Sequence, residues 1–400
     1  MPAMHDAVIV DAVRTPSGKG KPGGQLSGVH PTSLLSHTLR ALVERNDLDP
    51  AVVDDVVTGC VSQAGEQTFN IGRNAVLGAG FPESVPATTI DRQCGSSQQA
   101  AHFAAQGVMS GAYDVAIACG VESMSRVTMG SSMMGQNPFG PEVTDRYAPG
   151  LVPQGISAEL ITAKWGFSRD DLDAFAARSH QLAAQAAADG AFDRELIAVP
   201  TLDEHGNDVE VAVDETVRAG TEAQGLGKLQ PAFQSEEFAA RFPQIGWHIT
   251  PGNSSPLTDG ASAVLIMSAE RAAALGLTPR ARFHDFAVVG DDPLYMLTGP
   301  IPATRKILER SGMAIDDIDA FEVNEAFAPV PLAWQREVGA DPDRLNVRGG
   351  AIALGHPLGA SGTRLLTTLV NTLEGHGWRY GLQTMCEGGG LANATIIERL

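Results

Sequence analysis

Residues 53–64 read VDDVVTGCVSQA, and residues 315–326 read IDDIDAFEVNEA. Aligned, Asp54 falls on Asp316 and Ser62 on Asn324, a spacing of 262 residues. The same spacing carries Cys94 onto His356. Further on, YDVAIACG and YGLQTMCE place Tyr113 on Tyr380 and Cys119 on Cys386, a spacing of 267, so the second copy has gained five residues on the way. Four matches in one order at nearly one spacing imply a duplicated unit.

The unit is α/β. Ala7-Val8-Ile9-Val10 reads as a strand, Ser33 to Arg45 as an amphipathic helix, Val56-Val57 as the start of another strand and Asp114 to Ala118 as a buried one. Strands alternating with helices predict a largely parallel sheet. Between the copies, about Val127 to Pro251, the pattern changes. VTMGSSMMGQNPFGPEV has no clear period. A helix follows, opened by a capping box of Ser168 and Asp171, running Ala-rich through Ala188 and closed by Gly190. VPTLDEHGNDVEVAV reads as a hairpin around His205-Gly206-Asn207. An inserted, partly irregular region is either a substrate-binding loop domain or a plain cover.

The bulk properties bound the function. Four hundred residues exceed one compact core. No run of about 20 apolar residues predicts a membrane span. Met1 to Val10 shows no secretory pattern, which makes the cytoplasm the expected location. The net charge of −19, from 28 basic and 47 acidic residues, argues against nucleic acid. An anionic ligand would need a local basic pocket. Cys60, Cys94, Cys119 and Cys386 form no CxxC pair, so neither zinc nor structural disulfides are expected.

Cys94 lies in TTIDRQCGSSQQAAHFAAQGVMSG, where an extended stretch meets an Ala-rich helix. A thiol at a helix N-terminus feels the positive dipole end and free amides, which favour thiolate and nucleophilicity. Gly95 and Ser96 leave the approach open and cap the helix. The bland alternative is a buried structural thiol. His356, in VRGGAIALGHPLGASGTRLL, takes the equivalent turn of the second copy, so a base can face the nucleophile. Cys386, in MCEGGGLANA, precedes three glycines whose amides can approach a substrate oxygen. It could pair with another cysteine or serve as an acid and base, and the glycines favour the latter. Asn324, in EVNEAFAP, could hold a water or a carbonyl, or simply cap a turn.

Together, CGSS at Cys94, VNEAFA at Asn324, GGAIALGHPLGASG at His356 and CEGGG at Cys386 resemble the thiolase family in order and spacing, with DAVRTP near the start and VESMS after the first-copy strand. The resemblance spans essentially the whole chain. It implies two thiolase domains in a five-layered αβαβα core, an N-terminal one from residues 1–126 and 252–276 and a C-terminal one from 277–400, with a CoA-binding loop domain at 127–251. It implies that Cys94 is the acylated nucleophile, His356 its base, and Cys386 the acid and base at the acetyl-CoA carbon. Asn324 would hold a water that forms one oxyanion hole with His356, and the amides of Cys94 and Gly388 would form the other. By position, coenzyme A would meet Ser255, Arg218, Leu229, Ala232, Phe233, Ala326, Phe327 and His356, with Lys228 adding charge. Coenzyme A would be substrate and product; no permanent cofactor or metal is implied, and a homodimer or homotetramer is.

The chain departs from the family pattern in places. Asp91 replaces a usual asparagine, and Leu391-Ala392 follow the glycines where a further glycine is common. Pro153-Gln154 replace the His-Met pair of short-chain biosynthetic enzymes, and the segment Gln234–Ile249 is long. The expected reaction is therefore degradative: 3-ketoacyl-CoA plus CoA gives acyl-CoA plus acetyl-CoA. Condensation of two acetyl-CoA is the alternative. A ketosynthase-like enzyme is disfavoured by Asn324 and the second cysteine. A non-catalytic acyl-CoA or lipid carrier is disfavoured by the intact Cys94, His356 and Cys386.

Overall fold

The computed structural model describes residues 5–203 and 205–400. Among the described residues, nine longer strands build the main sheet: β1 (Ala7–Arg14), β2 (Asp55–Gly59), β3 (Ala87–Ile90), β4 (Val115–Ser123), β5 (Thr258–Ser268), β6 (Ala281–Gly290), β7 (Ala320–Val323), β8 (Tyr380–Glu387) and β9 (Leu391–Arg399). Their order is β7-β8-β9-β6-β1-β5-β4-β2-β3, and the two-residue strand Gly18–Lys19 pairs with β5. β1, β4 and β5 are buried along their whole lengths, which is what near-continuous apolar runs give when helices cover both faces.

The sheet is mixed rather than largely parallel. Parallel pairing is confined to β2 with β3 and β4, and to β7 with β8. The centre is antiparallel, because β5 returns after the long insertion and β8 turns directly into β9. That last turn needs left-handed backbone at Gly389 (φ +83°) and Gly390 (φ +76°), which glycine adopts without steric cost.

Among the described residues, eight longer helices complete the fold: α1 (Pro31–Glu44), α2 (Ile71–Gly78), α3 (Ser96–Met109), α4 (Gln154–Trp165), α5 (Arg169–Ala188), α6 (Pro300–Ser311), α7 (Pro329–Val338) and α8 (Ser361–His376). α1 and α2 pack on the outer face of the N-terminal half, around Leu35, Leu39, Ile71 and Val76. α6 and α7 cover the C-terminal half, around Ile301, Ile307, Val330 and Trp334. α3 and α8 lie between the halves, setting Ala100, Ala101, Ala104 and Ala105 against Leu366, Leu369 and Val370. The layers therefore alternate αβαβα, with the two half-sheets joined along one edge where Val8 and Ile9 pair with Arg282 and Ala281. Small residues let the central helices approach closely; a Cβ on Gly362 would strike the backbone of Gln98.

The duplication is present, but its register differs from the sequence alignment. The Asp54 carboxylate accepts from the amides of Asp114 and Val115. The Asp319 carboxylate accepts from those of Arg379 and Tyr380. α3 starts at Ser96 and α8 at Ser361, so the spacing is 265 residues throughout. Cys94 thus corresponds to Gly359, His356 to Asp91, Cys386 to Val121 and Glu387 to Glu122. The slip arose because Asp316 and Asp317 lie in a 3-10 turn, Ile315–Asp317, matching Pro50–Val52 rather than the strand edge. Short acidic and apolar strings match in several registers, whereas the hydrogen bonds match in one.

In the inserted region the capping box of Ser168 and Asp171 forms and α5 runs to Ala188, with Gly190 left-handed at φ +70°. Val199–Leu202 and Asp208–Val211 pair as the expected hairpin. No helix among the described residues is long and apolar enough to cross a membrane.

Candidate active site

Four segments converge at the inner ends of the central helices. Cys94 sits one residue before Gly95, the N-cap of α3, and Gln93 before it is left-handed at φ 49°. Gly95 caps without a side chain; Ser96, already helical, instead bonds back to Gln93 O and accepts from Arg92 N. The β8–β9 hairpin closes over this turn. Gly388 lies against the Gln93 side chain, and a Cβ on Gly95 would collide with Glu387. Cys386 is close enough for the charge of Cys94 to raise its pKa. One strand over, Asn324 N donates to Thr384 O at 3.1 Å, which places Asn324 beside the Cys386 end of β8.

His356 comes from the loop before α8. Its backbone N donates to Thr258 Oγ1 at 2.9 Å. Ser361 Oγ donates to Pro357 O at 2.9 Å and stands 2.6 Å from His356 Nδ1. With its own proton committed to the carbonyl, Ser361 accepts from Nδ1–H, and the tautomer follows: Nε2 carries the free lone pair. Asn324 Nδ2 is 3.4 Å from that Nε2, and Asn324 Oδ1 is buried without a protein partner among the described residues. The Pro357–Ala360 turn packs on the start of α3: Gly359 O and Ser97 crowd Gly59 and Gly120 from the same side, and Thr363 N donates to Ser97 Oγ at 3.0 Å. The Cys94 turn and the His356 loop are thus held together by the packing of α3 and α8, not by equivalent places in the repeat.

The electrostatics correct one expectation. A helix N-terminus is worth about 0.3–1 kcal/mol to a nearby anion. Cys94 is only 5% exposed, and burial above all pushes its thiol up to about 12, with an ionised Glu387 as the next cause. The dipole loses. Burial likewise lowers His356 to about 3, helped by Arg364, and lifts Cys386 well above the usual thiol range. The resting site therefore holds two neutral thiols and a neutral imidazole.

The remaining expected residues form a second group beside this one. Ser255 N and Oγ both donate to Ala326 O, at 3.0 and 3.1 Å, and Ser254 bridges to Phe327. Phe233 meets Phe327 edge to face at 6.0 Å, and Ala232 N donates to Ile249 O. Leu229 leans on Gly252. Arg218 lines a cleft with Lys19, His180, Thr216, Pro251, Gly252, Ser254, Pro256 and Ile352. Lys228 is exposed and does not line that cleft. Lys19 and His180 escaped the sequence reading, since nothing in the chain brings residue 19 near residue 218 before folding. Ser361 and Thr258, which orient His356, escaped it too; a serine at the start of α8 was the available signal.

Residues 7–270 match the family described as Thiolase, N-terminal domain, and residues 277–399 match Thiolase, C-terminal domain. The chain belongs to the thiolase family. This thiolase is 47% identical over 405 residues to the steroid 3-ketoacyl-CoA thiolase FadA6 of Mycobacterium tuberculosis, covering 99% of the chain and 95% of that protein. It is 44% identical over 401 residues to the 3-ketoacyl-CoA thiolase of Pseudoalteromonas translucida, covering 99% and 100%. Among solved structures, the acetyl-CoA acetyltransferase of Bacillus anthracis superposes with a TM-score of 0.89 at 35% identity over the full length of both chains. The enzyme class is acyltransferase.

In this thiolase two of the departures fall at the β8–β9 hairpin and around the start of α4. Ala392 pairs across from Cys386, and its methyl lies in the C-terminal core against Gly299. Gln154 opens α4, whose Ile156 and Leu160 cluster with Val152, Ile245, Phe238, Phe242, Trp247 and Tyr295. The long segment Gln234–Ile249 therefore supplies an apolar wall rather than a loose loop.

Proposed function

We propose that the protein cleaves 3-ketoacyl-CoA with CoA, releasing acetyl-CoA and a shortened acyl-CoA. The observation that carries this reading is the convergence of two buried neutral thiols with a neutral imidazole and an amide. Hydrolysis needs one nucleophile and one base; exchanging a carbon–carbon bond for a thioester needs a second proton site.

The proton accounting closes. Cys94 Sγ attacks the 3-keto carbon while its proton passes to His356 Nε2. The carbon–carbon bond between the keto carbon and the acetyl-CoA carbon breaks, leaving acyl-Cys94. The acetyl-CoA enolate takes a proton from Cys386. After acetyl-CoA leaves, the Cys386 thiolate takes the proton of incoming CoA, whose sulfur attacks acyl-Cys94. The released Cys94 thiolate recovers its proton from His356. A thiol held protonated by burial suits the Cys386 role, because it is an acid that does not dissociate idly. Negative charge develops on a thioester or keto oxygen at each stage, and fixed donors stabilise it. The amides of Cys94 and Gly388 would serve one oxygen; a water on Asn324, together with His356, would serve the other.

Coenzyme A would run from Ser255, Ala326 and Phe327 past Phe233, Ala232 and Leu229 to the cleft with Arg218, Lys19 and His180. Lys228 would reach the phosphates only at the rim. Residues 127–251 would act as the CoA-binding loop domain between thiolase domains at 1–126 with 252–276 and at 277–400. The exposed Phe69, Met129 and Met134 support assembly into a homodimer or homotetramer, which we place in the cytoplasm.

Two measurements test this. The CoA-dependent loss of acetoacetyl-CoA and of longer or bulkier 3-ketoacyl-CoAs should show activity, with preference for acyl groups larger than acetyl. The apolar wall and the relatives' names support that preference. No cleavage of any substrate by folded, reduced protein sinks the reading, and a strict acetoacetyl-CoA preference turns it toward biosynthetic condensation. Arg218→Glu should raise KM for CoA about tenfold while the rate at saturating CoA falls much less, since a rim charge contributes binding rather than chemistry. An unchanged KM removes Arg218 from the CoA site.

A further inference from the structure

Glu122 and Glu387 hold the same place in the two copies, near the ends of β4 and β8. Their surroundings differ. Glu122 accepts from the amides of Val61, Ser62 and Gly359 and from Gln67 Nε2, all at 2.9–3.0 Å. It is a satisfied structural carboxylate. Glu387 is equally buried, yet neither of its oxygens has a hydrogen-bond partner among the described residues. The Asn393 backbone N–H lies near enough to favour its anion, but outside bonding geometry. A buried anion without donors is too costly to persist, and such a group keeps its proton.

Asn393 Oδ1 is a second buried oxygen without a partner. A Cβ on Gly95 would collide with Glu387 Oε1 and Asn393 Oδ1 together, so both oxygens face the backbone just after Cys94. Two oxygens crowded against one point of the backbone are accommodated best when one of them carries a proton. Asn393 Nδ2 in turn donates to Gln99 Oε1 at 3.2 Å, at the start of α3.

We propose that Glu387 is a positioning residue that works as a neutral carboxylic acid, donating to Asn393 Oδ1 to fasten the Cys386 hairpin to the start of the Cys94 helix, and that its ionisation opposes thiolate formation at Cys94. Burial lifts the Glu387 carboxyl to about 9, Arg92 and the Asn393 amide pull it down, and Asp91 pushes it up. Asp91 and Arg92 on the turn before α3, Cys94, Cys386 and Asn393 are the groups that face it. Below pH about 9 it is neutral. Above that it becomes an anion whose charge raises Cys94 and Cys386 further. The Cys94 thiolate fraction therefore climbs less steeply above pH about 9 than that of an ordinary cysteine.

The proposal rests on Cys94 and Cys386 being the reacting thiols. Its test compares wild type, Glu387→Gln and Glu387→Ala by kcat/KM for thiolysis at about pH 7.5 and by iodoacetamide alkylation of Cys94 from about pH 7 to 10. The glutamine amide can donate to Asn393 and cannot ionise. Glu387→Gln should rescue thiolysis to within about threefold of wild type, while Glu387→Ala loses about tenfold or more through misplacement of the hairpin. The alkylation ratio of Glu387→Gln to wild type should start near one and climb to about threefold or more at the alkaline end. A folded Glu387→Gln as impaired as Glu387→Ala, or parallel alkylation curves, overturns the proposal. Wild type without thiolysis and without preferential Cys94 alkylation instead overturns the functional reading, and this proposal with it.

Discussion

Cys94→Ala is expected to lower kcat for CoA-dependent 3-ketoacyl-CoA cleavage by about 10⁴-fold or more, because the covalent route disappears and no neighbouring group can replace it. Cys386, to which the proposed cycle gives a separate proton step, sits near the end of β8. The control is Cys119→Ala. That thiol is as buried as Cys94, but it lies on β4 in the N-terminal core, its sulfur 3.1 Å from Thr58 Oγ1 of the neighbouring β2. Its loss should trim stability by the small cost of a cavity and leave kcat within a few-fold. All four cysteines are buried, so exposure does not single out the nucleophile. Mass-spectrometric trapping does: substrate without CoA should leave the acyl group on the peptide containing Cys94. A Cys94→Ala protein retaining a tenth of wild-type kcat, or an acyl group found on Cys386, rejects the assignment.

Much of this site was legible in the sequence, though by uneven routes. The αβ alternation and the duplication showed in short apolar strings, because each buried strand must be apolar on both faces. The exact register did not show, since Asp-Asp-Ile and Asp-Asp-Val fit several alignments, and only the paired amides on Asp54 and Asp319 select one. The pairing of Cys94 with His356 was therefore reached from the wrong equivalence, yet the two turns do come together through α3 and α8. The state of Cys94 was misjudged, because a helix terminus can be read from sequence while burial cannot. The antiparallel centre was invisible for a similar reason: nothing in β5 itself says that it returns beside β1 after the insertion. Lys19 and Ser361 were silent because their partners are supplied by the fold.

His356→Ala is expected to reduce Cys94 acylation by about 10³-fold, within the range lost when a base and its oxyanion contact are removed together. Ser361→Ala, which removes the acceptor that fixes Nδ1–H together with the bond to Pro357 O, should cost about tenfold and leave substrate binding intact. The pH dependence separates this site from a surface histidine. Burial holds His356 near 3, below the usual 6.5, so the neutral base survives as pH falls and is lost only as pH drops through about 3. The acylation rate should then show no acid limb at pH 6–7 attributable to His356. A wild-type limb at that pH, absent from the residual activity of His356→Ala, means that the imidazole is charged more readily than its buried, Arg364-facing position dictates. The same burial carries a stability consequence with a fixed sign. The unfolded chain binds a proton at His356 below about 6.5 and the folded chain does not, so this histidine favours folding above that pH and loses up to about 1.4 kcal/mol per pH unit below it, until about 3. Denaturant midpoints of wild type and His356→Ala should converge as pH is lowered from about 7 to 4.5, and midpoints that stay a constant distance apart refute the neutral-imidazole assignment.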